Sequence, residues 1–258
     1  MRLMSVKQLL DLSGRVALVT GGSRGLGLQI AEALAEMGAK VAITARKKDE
    51  LDQAVSHLGG SASAFVADIG KRETLAPLAD AVLKKFGKVD ILVNNAGATW
   101  GAPAEQHPLE AWDKLVNVNL SGAFALTQIV AVKSMIPAKW GRIINVASVA
   151  GLLGQDPRYA PTAAYTATKH GLVGLTRQLA AEWGVHGITV NAICPGFFPS
   201  KMTRATLETT GALIKEWTPT RRLGGDEDLK GLAVLLASEA SRHISGQAIA
   251  VDGGATII

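Results

Sequence analysis

Tyr165 and Lys169 stand four residues apart in a stretch of helical pattern, Ala163–Trp183, so their side chains share one face. A free phenol ionises near pH ~10, and an adjacent ammonium stabilises the phenolate and lowers that value. A hydroxyl so placed can give a proton to the alkoxide that develops when hydride reaches a carbonyl carbon. Y-x-x-x-K pairs are common in helices, and by itself this one would read as ordinary. A second pattern lies far upstream. Thr20-Gly21-Gly22-Ser23-Arg24-Gly25-Leu26-Gly27 places Gly21, Gly25 and Gly27 at G-x-x-x-G-x-G spacing. A phosphate needs backbone N–H groups brought close, and glycine removes the Cβ that would block them. The start of a helix adds unsatisfied donors and a partial positive charge. The competing reading is a turn chosen for tight strand–helix packing. Its position at the first strand–helix junction favours the phosphate.

These groups need a scaffold that brings residues 21–27 and 165–169 together. Short apolar runs at Val16–Thr20, Val41–Thr44, Ala64–Val66, Ile91–Asn94, Ile143–Ala147, Thr189–Ile193 and Ala248–Val251 read as seven strands. Between them apolar residues recur at helical spacing, as at Leu26, Ile30, Ala33, Leu34 and Met37. Strands that are apolar throughout and alternate with helices predict an α/β fold, a doubly wound Rossmann-type parallel sheet with helices on both faces. No repeat or linker interrupts the pattern, so residues 1–258 read as one domain. Ligands of such sheets bind beyond the carboxyl ends of the strands. The irregular stretches Ala98–Pro108, Gly151–Thr162 and Pro195–Arg222 would lie there, and the last, near 195–222, is expected to form a lid.

Composition narrows the partners. The 258 residues hold one cysteine, Cys194, so no intramolecular disulfide is possible, and a reducing compartment, the cytoplasm, is expected. The five histidines show no metal-ligand spacing, and no metal is expected. The net charge of +5 comes from scattered residues, the densest cluster being Arg46-Lys47-Lys48. Without a basic stripe or interleaved aromatics this points to an anionic small molecule, not to nucleic acid. Uninterrupted apolar runs such as Leu232–Ala237 stop far short of the ~18 residues of a membrane span, so none is expected.

Four motifs occur in order along nearly the whole chain: the T-G-x-x-x-G-x-G loop, Asn94-Asn95-Ala96-Gly97 after the fourth strand, Tyr165-x-x-x-Lys169, and Pro195-Gly196 after the sixth. Together they resemble the short-chain dehydrogenase/reductase family. The resemblance implies an enzyme that moves hydride between a nicotinamide and a carbonyl or secondary alcohol, with Asn119, Ser148, Tyr165 and Lys169 as the catalytic set. Tyr165 would be the general acid/base and Lys169 would also bind the nicotinamide ribose. Ser148 would bind the substrate oxygen, and Asn119 would hold a water behind Lys169. Tyr159 lacks a lysine four residues later and is set aside. For the cofactor the resemblance implies Gly21, Ser23, Arg24, Gly25, Leu26 and Gly27 at the phosphates. Asn95, Ala96, Gly97, Pro195, Gly196 and Ser200 would lie around the nicotinamide end. Asp68, with Ile69 beside it, looks like the adenine contact; a helix N-cap is the other reading of Asp68.

Cofactor choice follows from the end of the second strand. A carboxylate there would bind the ribose hydroxyls and repel a 2′-phosphate. Here Ala45 stands at the family's acidic position and Arg46 follows it. Arg46 and Arg24 would take the 2′-phosphate as guanidiniums do, through two parallel hydrogen bonds, so NADP(H) is expected. Ser148 and Tyr165 are 17 apart where relatives usually have about four fewer, which puts the extra residues around 155–162 beside the substrate. The chain resembles both 3-oxoacyl thioester reductases and gluconate 5-dehydrogenase-like enzymes of sugar acids. Ala181 replaces an arginine that carrier-protein-dependent reductases use for docking. The family resemblance also implies a homo-oligomer, a tetramer through helices such as Pro108–Met135 and Thr162–Trp183. The alternative is a non-catalytic, NADP-binding regulatory protein on the same scaffold, which would have no need to keep all four catalytic residues.

Overall fold

A computed structural model describes residues 3–156 and 161–258. Seven strands, β1 (Val16–Thr20), β2 (Lys40–Ala45), β3 (Ala62–Val66), β4 (Ile91–Asn94), β5 (Gly141–Val146), β6 (Ile188–Pro195) and β7 (Ala248–Val251), form one parallel sheet in the order β3-β2-β1-β4-β5-β6-β7. β1, β4 and β7 have the expected bounds, β2 and β6 extend further at both ends, β3 begins earlier, and β5 begins earlier, at Gly141, and stops at Val146, just before the expected Ala147. The inner strands β1, β4, β5 and β6 are buried along their whole length, and polar side chains that interrupt their apolar runs, Asn94, Arg142, Asn145 and Asn191, are buried with hydrogen-bond partners.

Successive side chains of a strand point to opposite faces, and the core divides accordingly. Ala17, Val19, Val41, Ile43 and Ile144 face one layer, which holds α2 (Gly25–Glu36), α3 (Lys48–Leu58) and α8 (Lys230–Ala237). Leu18, Ala42, Leu92, Ile143 and Val190 face the other, made by α4 (Leu75–Phe86), α5 (Leu109–Ala138) and α6 (Ala163–Trp183). A short α1 (Val6–Leu10) precedes the sheet, and α7 (Arg204–Trp217) lies in the segment expected as a lid.

Helix α5 is wound as π-helix at Asn117–Gly122 and Ala131–Met135. By length and composition it is apolar enough to cross a membrane, at a mean hydropathy of 1.6 over its most apolar stretch. A count of uninterrupted apolar residues misses it because small and polar residues break the run. Leu115, Leu126, Val130 and Met135 are nevertheless packed in the protein core, which makes α5 a core helix of the second layer.

The strand order reverses direction between β1 and β4, which pair through Ala17–Ile91, Leu18–Leu92 and Val19–Val93. A crevice opens outside the carboxyl ends of strands at such a switch point. The glycine loop leaves β1 and the N-N-A-G turn leaves β4, so topology puts the two motifs side by side.

Candidate active site

The glycine loop is held by its neighbours on both sides. Gly21 N–H donates to the Thr44 carbonyl at 2.8 Å. On the other side Asn95 Nδ2 donates to the carbonyls of Thr20 (2.9 Å) and Gly21 (3.2 Å). The Thr20 hydroxyl donates to Val93 O and accepts from the N–H groups of Asn95 and Ala96, both at 2.9 Å. Thr20 thus pins the two loops together. Gly21 and Gly25 have φ of +64° and +53°, the left-handed region that glycine enters without penalty. Around Gly25 an added Cβ would meet nothing within 4 Å, so that face of the loop is open. No side chain caps the start of α2, and its first N–H groups lack partners within the helix. This is an open anion cradle.

Gly27 answers a different need. A Cβ there would stand 2.3 Å from Gly21 O and 2.4 Å from Asn95 Nδ2. Gly27→Ala is therefore expected to push the loop apart and cost at least tenfold in dinucleotide affinity, on the order of 1.4 kcal/mol. Nucleotide titration of the folded variant checks this; unchanged affinity would mean that the loop yields without loss of function.

Beyond the sheet, Tyr165 and Lys169 lie where the helical spacing put them, with Nζ 5.6 Å from the tyrosine ring centre. Ser148 follows β5 and accepts a hydrogen bond from Ala150 N–H at 3.1 Å, and its hydroxyl also hydrogen-bonds the Tyr165 phenol. Lys169 Nζ donates to Val146 O at 2.7 Å. Asn119 sits in the first π turn of α5, 1% exposed. Its amide exchanges hydrogen bonds with Ala98 (2.8 and 2.9 Å) and donates to the Thr168 hydroxyl at 3.0 Å. π turns concentrate at functional sites, and this one turns Asn119 inward. Gly97 closes the arrangement, since a Cβ there would lie 3.3 Å from Asn119 Oδ1 and 3.8 Å from Lys169 Nζ.

Electrostatics here differ from what the lysine charge by itself would give. Burial raises the Tyr165 phenol above its ordinary value, against the smaller lowering effect of the Ser148 hydrogen bond. Burial also lowers Lys169 to about 8, which weakens its grip on a phenolate. The phenol is therefore kept protonated near neutral pH, the form a proton donor needs. The lysine shift has a consequence for stability. Between about pH 8 and the ordinary lysine value, the unfolded chain holds a proton that the folded chain has released, so stability rises with pH there. Lys169→Met should be the more stable protein below pH 8, and its advantage should shrink as pH climbs past that point. Tyr165 and Cys194, both raised by burial, act in the opposite sense at higher pH but remain in both proteins. Thermal melts at pH 7 and 9.5 measure the difference, and parallel pH slopes would refute it.

The remaining sequence-derived positions fall as follows. Arg46 is exposed just past β2, and Arg24 reaches from the glycine loop to Glu50, with Nη1 2.8 Å from each carboxylate oxygen. Ser23 and Leu26 are half-buried at the start of α2, and Leu26 packs against the core layer that holds Val19 and Ile30. Asp68 accepts from Gly70 N–H at 3.0 Å. That is a local turn and not a helix N-cap, because α4 begins seven residues later. Ile69 is buried, with its carbonyl against Gly122 of α5. Pro195 ends β6 and Gly196 N–H donates to Val251 O at 3.0 Å. The Ser200 hydroxyl is paired with Thr203 Oγ1 at 3.0 Å, which folds the entry to α7. Tyr159 and part of the 155–162 segment lie outside the described residues.

A cavity of about 470 Å³ opens beyond β5 and β6, with walls that include Val149, Leu153, Phe197, Ile214, Trp217 and Leu223. Arg222, the only cation among its described lining residues, is paired with Asp228, whose carboxyl it holds down to about 2. Ile214 and Trp217 belong to α7, so part of segment 195–222 lines this cavity. Sequence reasoning missed Thr20 and Thr168, whose hydroxyls hold Asn95, Ala96 and Asn119 in place, and the contribution of the C-terminal Ala255, Thr256 and Ile258 to the cavity. Thr20 opens the glycine motif, but nothing local announces its partners on the neighbouring loop, and the others carry no local signal beyond their residue type.

Comparison with known proteins bears on the whole chain. The family model for short chain dehydrogenases matches residues 15–211. Gluconate 5-dehydrogenase of Gluconobacter oxydans (strain 621H) is 41% identical over 98% of this chain and 99% of its own. The 3-oxoacyl-[acyl-carrier-protein] reductase of Escherichia coli (strain K12) is 36% identical over 95% of this chain and 98% of its own. Among solved structures, a gluconate 5-dehydrogenase from Burkholderia cenocepacia J2315, in complex with NADP and tartrate, superposes with a TM-score of 0.92 at 35% identity. It covers 98% of this chain and 100% of its own.

Proposed function

The chain belongs to the short-chain dehydrogenase family of oxidoreductases, and on that premise we propose that it is an NADP(H)-dependent enzyme interconverting a secondary alcohol and a ketone, with Tyr165 as general acid/base. The observation that carries this is the convergence of the half-buried Tyr165, its Ser148 partner and Lys169 at the carboxyl ends of β5 and β6. The residues suit NADP(H): the open cradle at Gly25 fits a pyrophosphate, and Arg24 and Arg46 fit a 2′-phosphate. When bound, the nicotinamide supplies or accepts the hydride.

In the reducing direction the Ser148 hydroxyl donates a hydrogen bond to the carbonyl oxygen and fixes its position. Tyr165 gives its proton to that oxygen as negative charge builds. Lys169 stabilises the phenolate left behind, and in oxidation the same groups run in reverse. Asn119 holds the Ala98 backbone and Thr168 in place behind Lys169.

The substrate we propose is a keto sugar acid or its hydroxy counterpart, supported by the gluconate 5-dehydrogenases similar to this chain over nearly its whole length. A second reading, a 3-oxoacyl thioester, is favoured by the apolar cavity walls and by Arg222 being already paired. Turnover followed by NADPH absorbance over 5-ketogluconate, related keto sugars and 3-oxoacyl thioesters separates the two. The first reading requires the sugar acid to have the highest kcat/KM. Inactivity toward every ketone offered would count against the enzymatic role. We place the protein in the cytoplasm as a homotetramer, with the exposed Trp112, Phe124 and Val132 of α5 as apolar groups for a second copy to cover.

A further inference from the structure

Glu50 lies in the first turn of α3, three residues into the helix. A glutamate there commonly turns back to cap its own helix end. This one does not: no side chain caps the start of α3. Its carboxylate instead reaches across to the glycine loop, with both oxygens 2.8 Å from Arg24 Nη1, 26 residues away in sequence. Oε1 also lies 3.3 Å from Lys47 Nζ. An internal anion therefore stands between two cations that border the Ala45–Arg46 corner, while Arg46 is left exposed to solvent.

We infer that Glu50 is a specificity-determining residue whose carboxylate competes with the 2′-phosphate of NADP(H) for Arg24, holding down affinity for the phosphorylated cofactor. The inference rests on the reading that Arg24 and Arg46 receive that phosphate. The competition is mild by design of the site. The Arg24 side chain is 51% exposed and that of Glu50 23%, and ion pairs at that exposure are weak enough to exchange. A phosphate entering the corner takes over the guanidinium and leaves Glu50 as a nearby like charge, which adds to the penalty. NADH, which has no charge at the ribose 2′ position, meets neither effect. The chain would thus keep use of both nicotinamides within reach while its arginines favour the phosphorylated one.

The test is calorimetric titration of NADPH and NADH into the unmodified protein, Glu50→Gln, Glu50→Ala, Arg24→Ala and the double variant Arg24→Ala with Glu50→Gln, at low and high salt. Glu50→Gln and Glu50→Ala should bind NADPH about two- to fivefold more tightly, the range of an exposed ion pair. NADH affinity should stay the same, and the gain should shrink in the Arg24→Ala background, where only the like-charge repulsion is left to relieve, and shrink at high salt. Thermal melts confirm that the variants fold. If Glu50→Gln leaves NADPH affinity unchanged or weaker while Arg24→Ala loses NADPH binding, Glu50 is a support for Arg24 and the inference is overturned. If Arg24→Ala also leaves NADPH affinity intact, the phosphate reading of the corner falls, and this inference with it.

Discussion

Tyr165→Phe should lower kcat by about 10²- to 10⁴-fold, the range for loss of a positioned general acid/base, while the dissociation constant for NADPH stays within about twofold, a change worth ~0.4 kcal/mol. The substitution removes one hydroxyl and leaves the ring in place, so packing changes little. Ser148 keeps the Ala150 N–H as a partner, which limits the cost of the lost phenol contact. Because burial holds the phenol protonated, the reduction rate of the unmodified enzyme should not be limited by phenol ionisation near neutral pH. Steady-state rates, single-turnover rates and nucleotide titration together check this. A loss in kcat smaller than about tenfold would remove Tyr165 from the proton-donor role. A parallel loss of NADPH affinity would instead point to a structural part.

The double substitution Arg24→Ala with Arg46→Ala should weaken NADPH by about ten- to a hundredfold, at roughly 1.5–3 kcal/mol for charge-assisted hydrogen bonds, and leave NADH nearly unaffected. The single change at Arg46 should do less, because Arg24 can leave Glu50 and cover the phosphate. Adding Ala45→Asp should swing preference further toward NADH by placing a carboxylate at the end of β2, an added repulsion as well as a new ribose partner. The quantity to compare is the ratio of kcat/KM for NADPH over NADH in each variant. An unmodified protein that already prefers NADH, or a double variant that keeps its NADPH preference, would refute the assignment of this corner.

Much of the scaffold was legible because it rests on short-range periodicity. The apolar runs of β1 and β4 and the helical spacing of Ala163–Trp183 survive into the structure with unchanged bounds. A parallel sheet buries its strands on both faces, so a continuous apolar run has one stable use. The glycine loop and the Tyr165–Lys169 pair were legible for the same reason, since phosphate cradles and one-face pairs are properties of a few consecutive residues. Polar side chains with distant partners were not. Thr20 gains its role only where β1 lies beside β4, 73 to 76 residues along the chain. Asn119 turns inward through a π turn that no residue pattern announces. Asp68 serves a local turn where a helix cap was one of two readings.

What the sequence determined by itself is the fold class, the order of the motifs and the residue types available for chemistry, because backbone geometry and apolar burial are settled over a few residues. Only the tertiary structure decided the charge states and the competition among charges. Burial of Tyr165 and Lys169 reverses the direction expected from their spacing, since desolvation depends on every element packed around them. The meeting of Arg24 with Glu50 is likewise a product of the fold, which lays α3 against the glycine loop and brings two distant side chains within one hydrogen bond.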